Sequence, residues 1–503
     1  MEKQNNRRWW VLIGLAIGLL AVGLDMTILN LALPTLATEL QASSSDLQWF
    51  ADAYTLVFAA ALLPAGLLGD RLGRKKMLII GLLMFGAASV VCAYAETSAA
   101  LIIGRAMLGL GAALLVPLSM SLIPVLFAEE ERSKAIGVWV MANAVGIPLG
   151  PIAGGWLLNH YNWSSVFWIN IPFVVVSMVA IALLLKESHG ENSARADYVG
   201  MLLSSLGLIG ITYGVIEAGE SGWDNAEALL TLGAGAALLA GFVWWIRRSQ
   251  TPLVDPQLFR SAVFTWGSVM ATLISFIMFG LLFVLPQFFQ GVQGTDALGA
   301  GLRLLPLVGG LVIGSKAADA IQQKMGAWAA MAGGFVLLAA ALTLGANTSI
   351  TDGYGLSAVW ITISGLGIGL VLPAAMDMAL SALTAERSGV GSALIMALRN
   401  VGGTIGVAVL GTVLSRSYRG TLDVTGLSEQ AAEAVQRNVA AGAAIARQLN
   451  SLPLLTQVQN AFVFGMGRLL WICGGIAAVG LLLVVLYLRK AKERASAGQH
   501  MDI

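Results

Sequence analysis

The chain has 503 residues, of which 57% are hydrophobic and only 11% are charged, and its formal net charge is +1. Soluble domains are typically about 25% charged, so this composition excludes an ordinary soluble globular protein. The nearly neutral charge gives no sign of a nucleic-acid partner. Cys92 and Cys473 lie far apart in apolar segments and indicate neither a disulfide framework nor a metal site.

Apolar runs long enough to cross a bilayer occupy most of the chain. About 20 helical residues span the hydrocarbon core, and by that criterion the sequence predicts fourteen transmembrane helices. Basic residues concentrate in alternate connecting segments, which places both termini in the cytoplasm by the positive-inside rule. The predicted spans are 9–33, 46–69, 76–95, 100–126, 135–158, 165–186, 198–218, 227–246, 262–289, 297–318, 328–346, 356–383, 391–414 and 466–488.

Two carboxylates fall inside the first two predicted spans. Asp25 lies in VGLDMTILNLALP, and Asp52 lies a turn or two into the second span, in WFADAYTL. A charge in hydrocarbon costs about 2.5–3.5 kcal/mol on insertion scales, so each carboxylate needs a function or a partner. At a rise of about 1.5 Å per residue both reach a similar depth in the outer half of the membrane. We interpret them as a shared proton-accepting site, with helix caps or local hydrogen bonds as the alternative.

Aromatic residues accompany Asp52 in the second span. Trp49 shares the face of Asp52, while Tyr54 and Phe58 share roughly the opposite face, so only one set can line a cavity. Such rings attract cationic ligands, although Trp49 is equally consistent with an interfacial aromatic belt. In the fourth span, LIIGRAMLGLGAAL places Arg105 about one turn into the helix. This arginine either snorkels to the interface or takes part in proton transfer.

A glycine-rich basic loop, GLLGDRLGRKK, joins the second and third spans. Glycines in this loop allow tight turns, and its aspartate can cap or pair with a neighbouring helix end. A plain positively charged inner loop is the simpler alternative. The candidate conformational residues are Gly66, Gly69, Asp70, Arg71, Gly73 and Arg74.

The fifth predicted span reads GVWVMANAVGIPLGPIAGG. Three of its glycines recur every fourth residue and form one smooth stripe along a helix, and a proline adds a bend. Ordinary close packing of two helices is the alternative explanation. The complete pattern, to which we assign a conformational role, comprises Gly137, Gly146, Gly150, Pro151, Gly154 and Gly155.

The second half of the chain carries fewer signals. Asp377 and Arg399, in the twelfth and thirteenth spans, are expected to form a structural pair. A long outside loop is expected at about 415–465, and its SEQAAEAVQ stretch favours an amphipathic helix. The histidines are scattered, and GGLVIGSKAAD departs from a phosphate loop, so neither a metal nor a nucleotide cofactor is expected.

These motifs resemble those of the major facilitator superfamily. The fifth span is similar to the antiporter signature of that superfamily, the 66–76 loop to its cytoplasmic signature, and LIIGRAMLGLGAAL to its fourth-helix arginine pattern. LDMTILNLALP, WINIPF and RNVGGTIGVAVLG resemble the fourteen-span drug:proton antiporter group. The resemblance covers nearly the whole chain and is weaker in the second half.

The resemblance implies an all-α membrane protein with the major facilitator fold, in which two six-helix bundles and two inserted helices surround a central cavity. The expected domains are residues 1–190 for the first bundle, 191–255 for a linker with the inserted helices, and 256–503 for the second bundle. The implied function is proton-driven multidrug efflux by alternating access across the bacterial cytoplasmic membrane, without enzymatic activity. Asp25, Asp52 and Arg105 would serve proton coupling or substrate binding.

The expected partners are lipophilic small molecules, protons and membrane lipids, and a periplasmic adaptor is left open. An exporter of a lipid or native metabolite on the same scaffold stays the main alternative. A membrane enzyme is disfavoured because the sequence lacks a nucleophile–base cluster. A non-transporting scaffold is disfavoured because it would leave the acids within the membrane without a purpose.

Overall fold

The computed structural model describes residues 2–42, 44–190, 197–249, 252–384 and 388–489. Regular structure in these ranges is entirely helical, as expected where backbone polar groups in lipid must be satisfied within each segment. The helices are α1 (Glu2–Glu39), α2 (Ser44–Leu72), α3 (Arg74–Ala93), α4 (Ser98–Ser121), α5 (Ile123–Leu126), α6 (Glu129–His160), α7 (Ser165–Trp168), α8 (Asn170–Leu184), α9 (Tyr198–Ser221), α10 (Ala226–Ile246), α11 (Ala262–Gln287), α12 (Ala297–Arg303), α13 (Leu305–Met325), α14 (Ala327–Ala346), α15 (Tyr354–Ser381), α16 (Ser388–Thr421), α17 (Glu429–Arg437), α18 (Val439–Gln448) and α19 (Leu452–Leu483).

The membrane-crossing helices of the described residues correspond to thirteen of the fourteen predicted spans. Thirteen segments among the described residues are long and apolar enough to cross a membrane, by length and composition. They match every predicted span except the fifth. The fifth span forms α6, a continuous helix of 32 residues, which is about 48 Å long at the usual helical rise. The prediction of an all-α membrane protein is therefore confirmed.

Helix packing divides the chain into two compact units. The first unit comprises Met1–Thr272 and Ala375–Val401. Within it α1 packs on α6 and α8, while α2 and α3 pack on α4. The second unit comprises Leu273–Ala374 and Gly402–Ile503, and within it α14 packs on α19 and α13. The bundle boundaries near residues 190 and 256 stay predictions from the sequence.

The two predicted inserted helices, α9 and α10, pack on each other, and α9 also packs on α2. The buried Asp197 carboxylate joins their neighbouring ends. It accepts hydrogen bonds from the Gly200 backbone N–H at 2.8 Å, the Trp245 indole at 2.7 Å and the Leu253 backbone N–H at 2.9 Å. One side chain therefore caps α9 and ties both helices to the segment that follows α10.

Residues 415–465 contain helices where the sequence predicted a long loop. Helix α16 continues to Thr421, α19 already begins at Leu452, and α17 and α18 lie between them. The Ser428 hydroxyl caps α17 by accepting from the Ala431 N–H at 3.3 Å, so the expected helix in SEQAAEAVQ is confirmed. The Tyr418 hydroxyl donates to the Val435 carbonyl at 2.8 Å and fastens α17 to α16.

Candidate coupling site

Asp25 lies in the middle of α1 and is 0% exposed. Its Oδ2 accepts a hydrogen bond from Arg105 Nη1 at 2.6 Å, which forms a buried ion pair between α1 and α4. A buried carboxylate requires such a partner because desolvation of an unpaired charge costs several kcal/mol. The position of Asp25 is therefore explained first by Arg105, a residue 80 positions away in the sequence.

Arg105 is held by more than Asp25. Its Nε donates to the Phe50 carbonyl of α2 at 2.7 Å, and its guanidinium lies 4.7 Å from the centre of the Tyr54 ring. Only 2% of Arg105 is exposed, so the interpretation that it snorkels to the interface is wrong. The arginine joins α1, α2 and α4 at one buried point.

Asn170, at the first residue of α8, completes the arrangement and was not assigned a role from the sequence. Its Nδ2 donates to Asp25 Oδ1 at 3.1 Å and to Ser89 Oγ of α3 at 3.1 Å. The WINIPF motif contains this residue, and a fully buried amide in an apolar helix requires a polar partner. An asparagine within an apolar segment could therefore have marked Asn170 as a site residue, but the sequence alone does not identify its partner.

Asp52 lies on a different face of α2 from Tyr54 and is half-buried. Its charge acts on the phenol of Tyr213 in α9, whose hydroxyl donates to Glu227 Oε1 of α10 at 2.8 Å. The structure therefore pairs Asp25 with Arg105 and directs Asp52 towards the inserted helices. The expected site shared by two carboxylates is not what the structure forms around Asp25.

The aromatic residues of α2 separate in the same way. Tyr54 and Phe58 are buried and stacked, with ring centres 6.1 Å apart, and Tyr54 faces Arg105. Trp49 is 40% exposed and stacks on Tyr213 at 6.5 Å. Of the aromatic residues in α2, Tyr54 therefore contacts the ion pair, and Phe58 stacks on Tyr54.

The glycine stripe of α6 packs directly on α1. A Cβ at Gly146 would lie 2.8 Å from the Leu20 carbonyl oxygen, and one at Gly154 would lie 2.8 Å from the Ile28 side chain. A Cβ at Gly150 would overlap the Thr27 hydroxyl. The three glycines thus allow the two helix backbones to approach, as small residues do in membrane helices. Gly137 in the same helix is buried, and Pro151 and Gly155 are half-buried.

The loop after α2 is fixed by a second buried ion pair. Asp70 Oδ1 accepts from Arg74 Nη2 at 2.6 Å, and both residues are almost completely buried. The same carboxylate accepts from the backbone N–H groups of Gly389 at 3.1 Å and Val390 at 2.9 Å. These two groups lie in the first turn of α16, where the helix dipole favours a negative charge. Arg71 next to this pair is exposed.

The glycines of this loop permit three close approaches. A Cβ at Gly66 would lie 2.7 Å from the Gly389 carbonyl oxygen, and one at Gly69 would overlap the Leu118 side chain. Gly73 has φ of 105°, a conformation that glycine adopts without strain. The Glu187 carboxylate next to Gly73 accepts from the N–H groups of the first residues of α3.

Replacing Asp70 by Ala should lower the stability of the protein. The substitution leaves the Arg74 charge buried without its carboxylate and removes the acceptor at the start of α16, and breaking a buried pair costs about 3–5 kcal/mol. Thermal unfolding of the purified protein should show a clear fall in melting temperature. Arg71→Ala, which removes an exposed charge one residue away, should change stability by no more than about 0.5 kcal/mol. Equal melting temperatures for the two variants would contradict this role of Asp70.

Arg399 and Asp377 lie in α16 and α15, and both are half-buried. The Arg399 guanidinium lies 6.0 Å from the centre of the Trp139 ring of α6. It also contacts the sulfurs of Met376 and Met396 at 3.5 Å. The structural pair of Asp377 with Arg399 stays a prediction.

A sequence profile for the Major Facilitator Superfamily matches residues 15–407 of this chain. The chain belongs to this superfamily. Its members are membrane transporters, and the apolar helices described above make this chain an integral membrane protein.

Several relatives within the superfamily are similar over nearly the full chain. The tetracenomycin C resistance and export protein of Streptomyces glaucescens is 31% identical over 99% of this chain and 95% of its own length. The multidrug efflux pump LfrA of Mycolicibacterium smegmatis is 33% identical over 92% of each chain. The puromycin resistance protein pur8 of Streptomyces alboniger is 33% identical over 81% of this chain and 82% of its own length.

Solved structures support the fold. The human organic anion transporter MFSD10 (TETRAN) gives a TM-score of 0.62 at 15% identity, covering 94% of this chain and 99% of that one. A bacterial homolog of the human lysosomal transporter Spinster, inward-facing and unoccupied, gives 0.57 at 17% identity, covering 96% and 98%. The major facilitator fold predicted from the sequence is confirmed by these likenesses.

Proposed function

We propose that this major facilitator protein exports lipophilic, often cationic, compounds from the bacterial cytoplasm in exchange for protons. Both termini would lie in the cytoplasm, and the proton gradient would supply the energy without a cofactor. Relatives that are named as drug resistance or export proteins and cover most of the chain support efflux of small molecules. The observation that carries proton coupling is the completely buried Asp25–Arg105 ion pair.

The ion pair changes how coupling would work. A free carboxylate would choose between a proton and a cationic substrate, whereas Asp25 has a third partner in Arg105. The proton, the substrate cation and Arg105 each carry one positive charge, and the buried Asp25 carboxylate can neutralise only one of them. A second positive charge at the site would be buried without a counter-ion. Binding of substrate and binding of a proton would therefore oppose each other through the same residue, which is a linkage effect.

Arg105 is suited to such an exchange because it has contacts that do not depend on Asp25. When a proton or a cation neutralises Asp25, Arg105 keeps its hydrogen bond to the Phe50 carbonyl and its place over the Tyr54 ring. A substrate cation near Asp25 would meet the same aromatic pair, Tyr54 and Phe58, and cation–π attraction is worth about 0.5–2 kcal/mol.

The glycine stripe connects this chemistry to helix movement. Asp25 lies within three residues of Thr27 and Ile28, the α1 residues that meet Gly150 and Gly154. A change of partner at Asp25 would therefore act on α1 next to its closest contact with α6. During alternating access α1 and α6 would slide along this contact. The 66–76 loop, through Asp70, would stabilise one of the two access states.

Accumulation of a fluorescent cation in cells tests the proposed function. Cells that express the protein should accumulate less ethidium than cells with an empty vector, and an uncoupler should restore accumulation to the vector level. Unchanged dye accumulation together with an altered lipid composition between leaflets would support the lipid exporter instead. Reduced accumulation that persists after uncoupling would contradict proton coupling and leave export itself intact.

A further inference from the structure

Asn170 donates twice and accepts nothing among the described residues. Its Nδ2 contacts Asp25 Oδ1 and Ser89 Oγ, both at 3.1 Å. Its own Oδ1 is buried and has no hydrogen-bond partner in the described part of the chain. A buried amide oxygen without a partner is uncommon and calls for an explanation.

The effect of protonation on Asn170 depends on which oxygen of Asp25 takes the proton. Oδ2 accepts from the permanently charged Arg105 at 2.6 Å, whereas Oδ1 accepts from the neutral Asn170 amide at 3.1 Å. A proton on Oδ2 would displace the stronger, charge-assisted bond. Oδ1 is therefore the oxygen that takes the proton with the least loss, and it faces Asn170.

Protonation of Oδ1 would set two donors against each other. The new O–H group of Asp25 and the N–H group of Asn170 cannot both donate along the same line. A half-turn of the Asn170 amide removes the conflict, because it places the unpaired Oδ1 where Nδ2 was. That oxygen has two lone pairs and can accept from the Asp25 O–H, while the Ser89 hydroxyl changes from acceptor to donor.

We propose that Asn170 is a positioning residue that follows the protonation of Asp25 by rotating its side-chain amide between Asp25 and Ser89. The inference rests on the proposed proton coupling and adds a connection from α1 to α3 and α8. The proton comes from solution and stays on Asp25 Oδ1, so no other group is consumed. In each orientation one end of the amide forms hydrogen bonds with both Asp25 and Ser89. The other end has no hydrogen-bond partner among the described residues.

Few other titratable groups face this site. Arg105 comes from α4, and the charges of Asp25 and Arg105 act on the Tyr54 phenol of α2 and the Cys92 thiol of α3. Helix α8 and the stretch 135–159 of α6, which also pack on α1, contain no charged residue. The amide of Asn170 is thus the polar group best placed to respond to protonation on the Oδ1 side.

The test compares two kinds of transport in proteoliposomes. Proton-driven accumulation of ethidium requires a change of protonation, whereas counterflow exchange of ethidium without a gradient does not. Asn170→Leu removes both hydrogen-bonding functions in a side chain of similar size and should reduce proton-driven initial rates at least about tenfold while counterflow stays within about threefold. Asn170→Ser restores a group that donates and accepts, and should keep proton-driven rates within about threefold.

Ser177→Ala is the matched control, because Ser177 is buried on the same helix two turns further on. It should leave both transport rates within about twofold, the scatter expected for a neutral change. Equal loss of both rates in Asn170→Leu would mean that Asn170 only supports the fold. Wild-type rates in Asn170→Leu would also overturn the inference, provided that Asp25→Asn still abolishes proton-driven accumulation. If Asp25→Asn accumulates ethidium as the wild type does, coupling does not take place at Asp25, and the inference about Asn170 fails with it.

A spectroscopic measurement covers the case in which Asn170→Leu does not insert. Infrared difference spectra between protonated and deprotonated protein should contain a side-chain amide carbonyl band that moves to lower frequency on protonation, since the oxygen gains hydrogen bonds. The band should be missing in Asn170→Ser and in Asp25→Asn, and should be unchanged in Ser177→Ala. An identical difference spectrum for wild type and Asn170→Ser would contradict rotation of the amide.

Discussion

Replacing Asp25 by Asn should abolish proton-driven transport and also destabilise the protein. The substitution removes the group that would carry the proton, and it leaves the Arg105 charge buried without its counter-ion. Removing one partner of a buried ion pair costs about 3–5 kcal/mol. Initial rates of gradient-driven ethidium transport should fall to the level of empty liposomes, and thermal unfolding should show a lower melting temperature.

The double variant Asp25→Asn with Arg105→Gln separates the two effects. It removes both charges together, so its stability should return towards that of the wild type, whereas transport should stay at background. Asp296→Asn is the control, because Asp296 is an exposed carboxylate whose Oδ1 caps α12, a role that Asn also fills. Gradient-driven transport in the double variant would show that the pair serves the fold alone.

Replacing Gly150 by Leu should block transport while leaving insertion into the membrane unchanged. A Cβ at this position already overlaps the Thr27 hydroxyl and lies 3.0 Å from the Ile28 backbone nitrogen. A leucine would force α6 away from α1 beside Asp25, and overpacking of this kind typically costs about 1–3 kcal/mol. Ethidium efflux from cells should fall at least about tenfold at equal expression, which membrane fractions and immunoblots can verify.

Gly233→Leu in α10 provides the matched comparison for the Gly150 variant. A Cβ at Gly233 has no atom within 4 Å among the described residues, so the same substitution should fit without displacing a neighbour. Its efflux should stay near the wild-type level. Equal loss of efflux in both leucine variants would indicate a general sensitivity to larger side chains and would contradict a special role for the α1–α6 contact.

The sequence predicted those features that depend on local pattern. Long apolar runs locate the helices, and the spacing of Gly146, Gly150 and Gly154 by four residues predicts a close helix contact. The loop around Asp70 was also recognisable, because glycine, aspartate and arginine occur there within a few residues. In each case the physical signal is contained in a short stretch of chain.

The sequence did not predict which groups would meet. The sequence predicts Asp25 and Asp52 at a similar depth, but depth along the membrane does not fix the direction in which each helix face points. The structure brings Asp25 together with Arg105 and Asn170, which are 80 and 145 positions away, and such pairings depend on how five helices pack. Buried polar groups indicate that partners exist without identifying them.

Release of protons on substrate binding tests the central claim most directly. In weakly buffered, mildly acidic detergent solution with a pH-sensitive dye, protein in which a proton on Asp25 has replaced the Arg105 ion pair should release that proton when ethidium binds. The release should disappear in Asp25→Asn and persist in Asp296→Asn. If the wild-type protein binds ethidium and releases no protons, or if Asp25→Asn releases as many, then the Asp25–Arg105 pair only stabilises the fold and coupling at Asp25 is wrong.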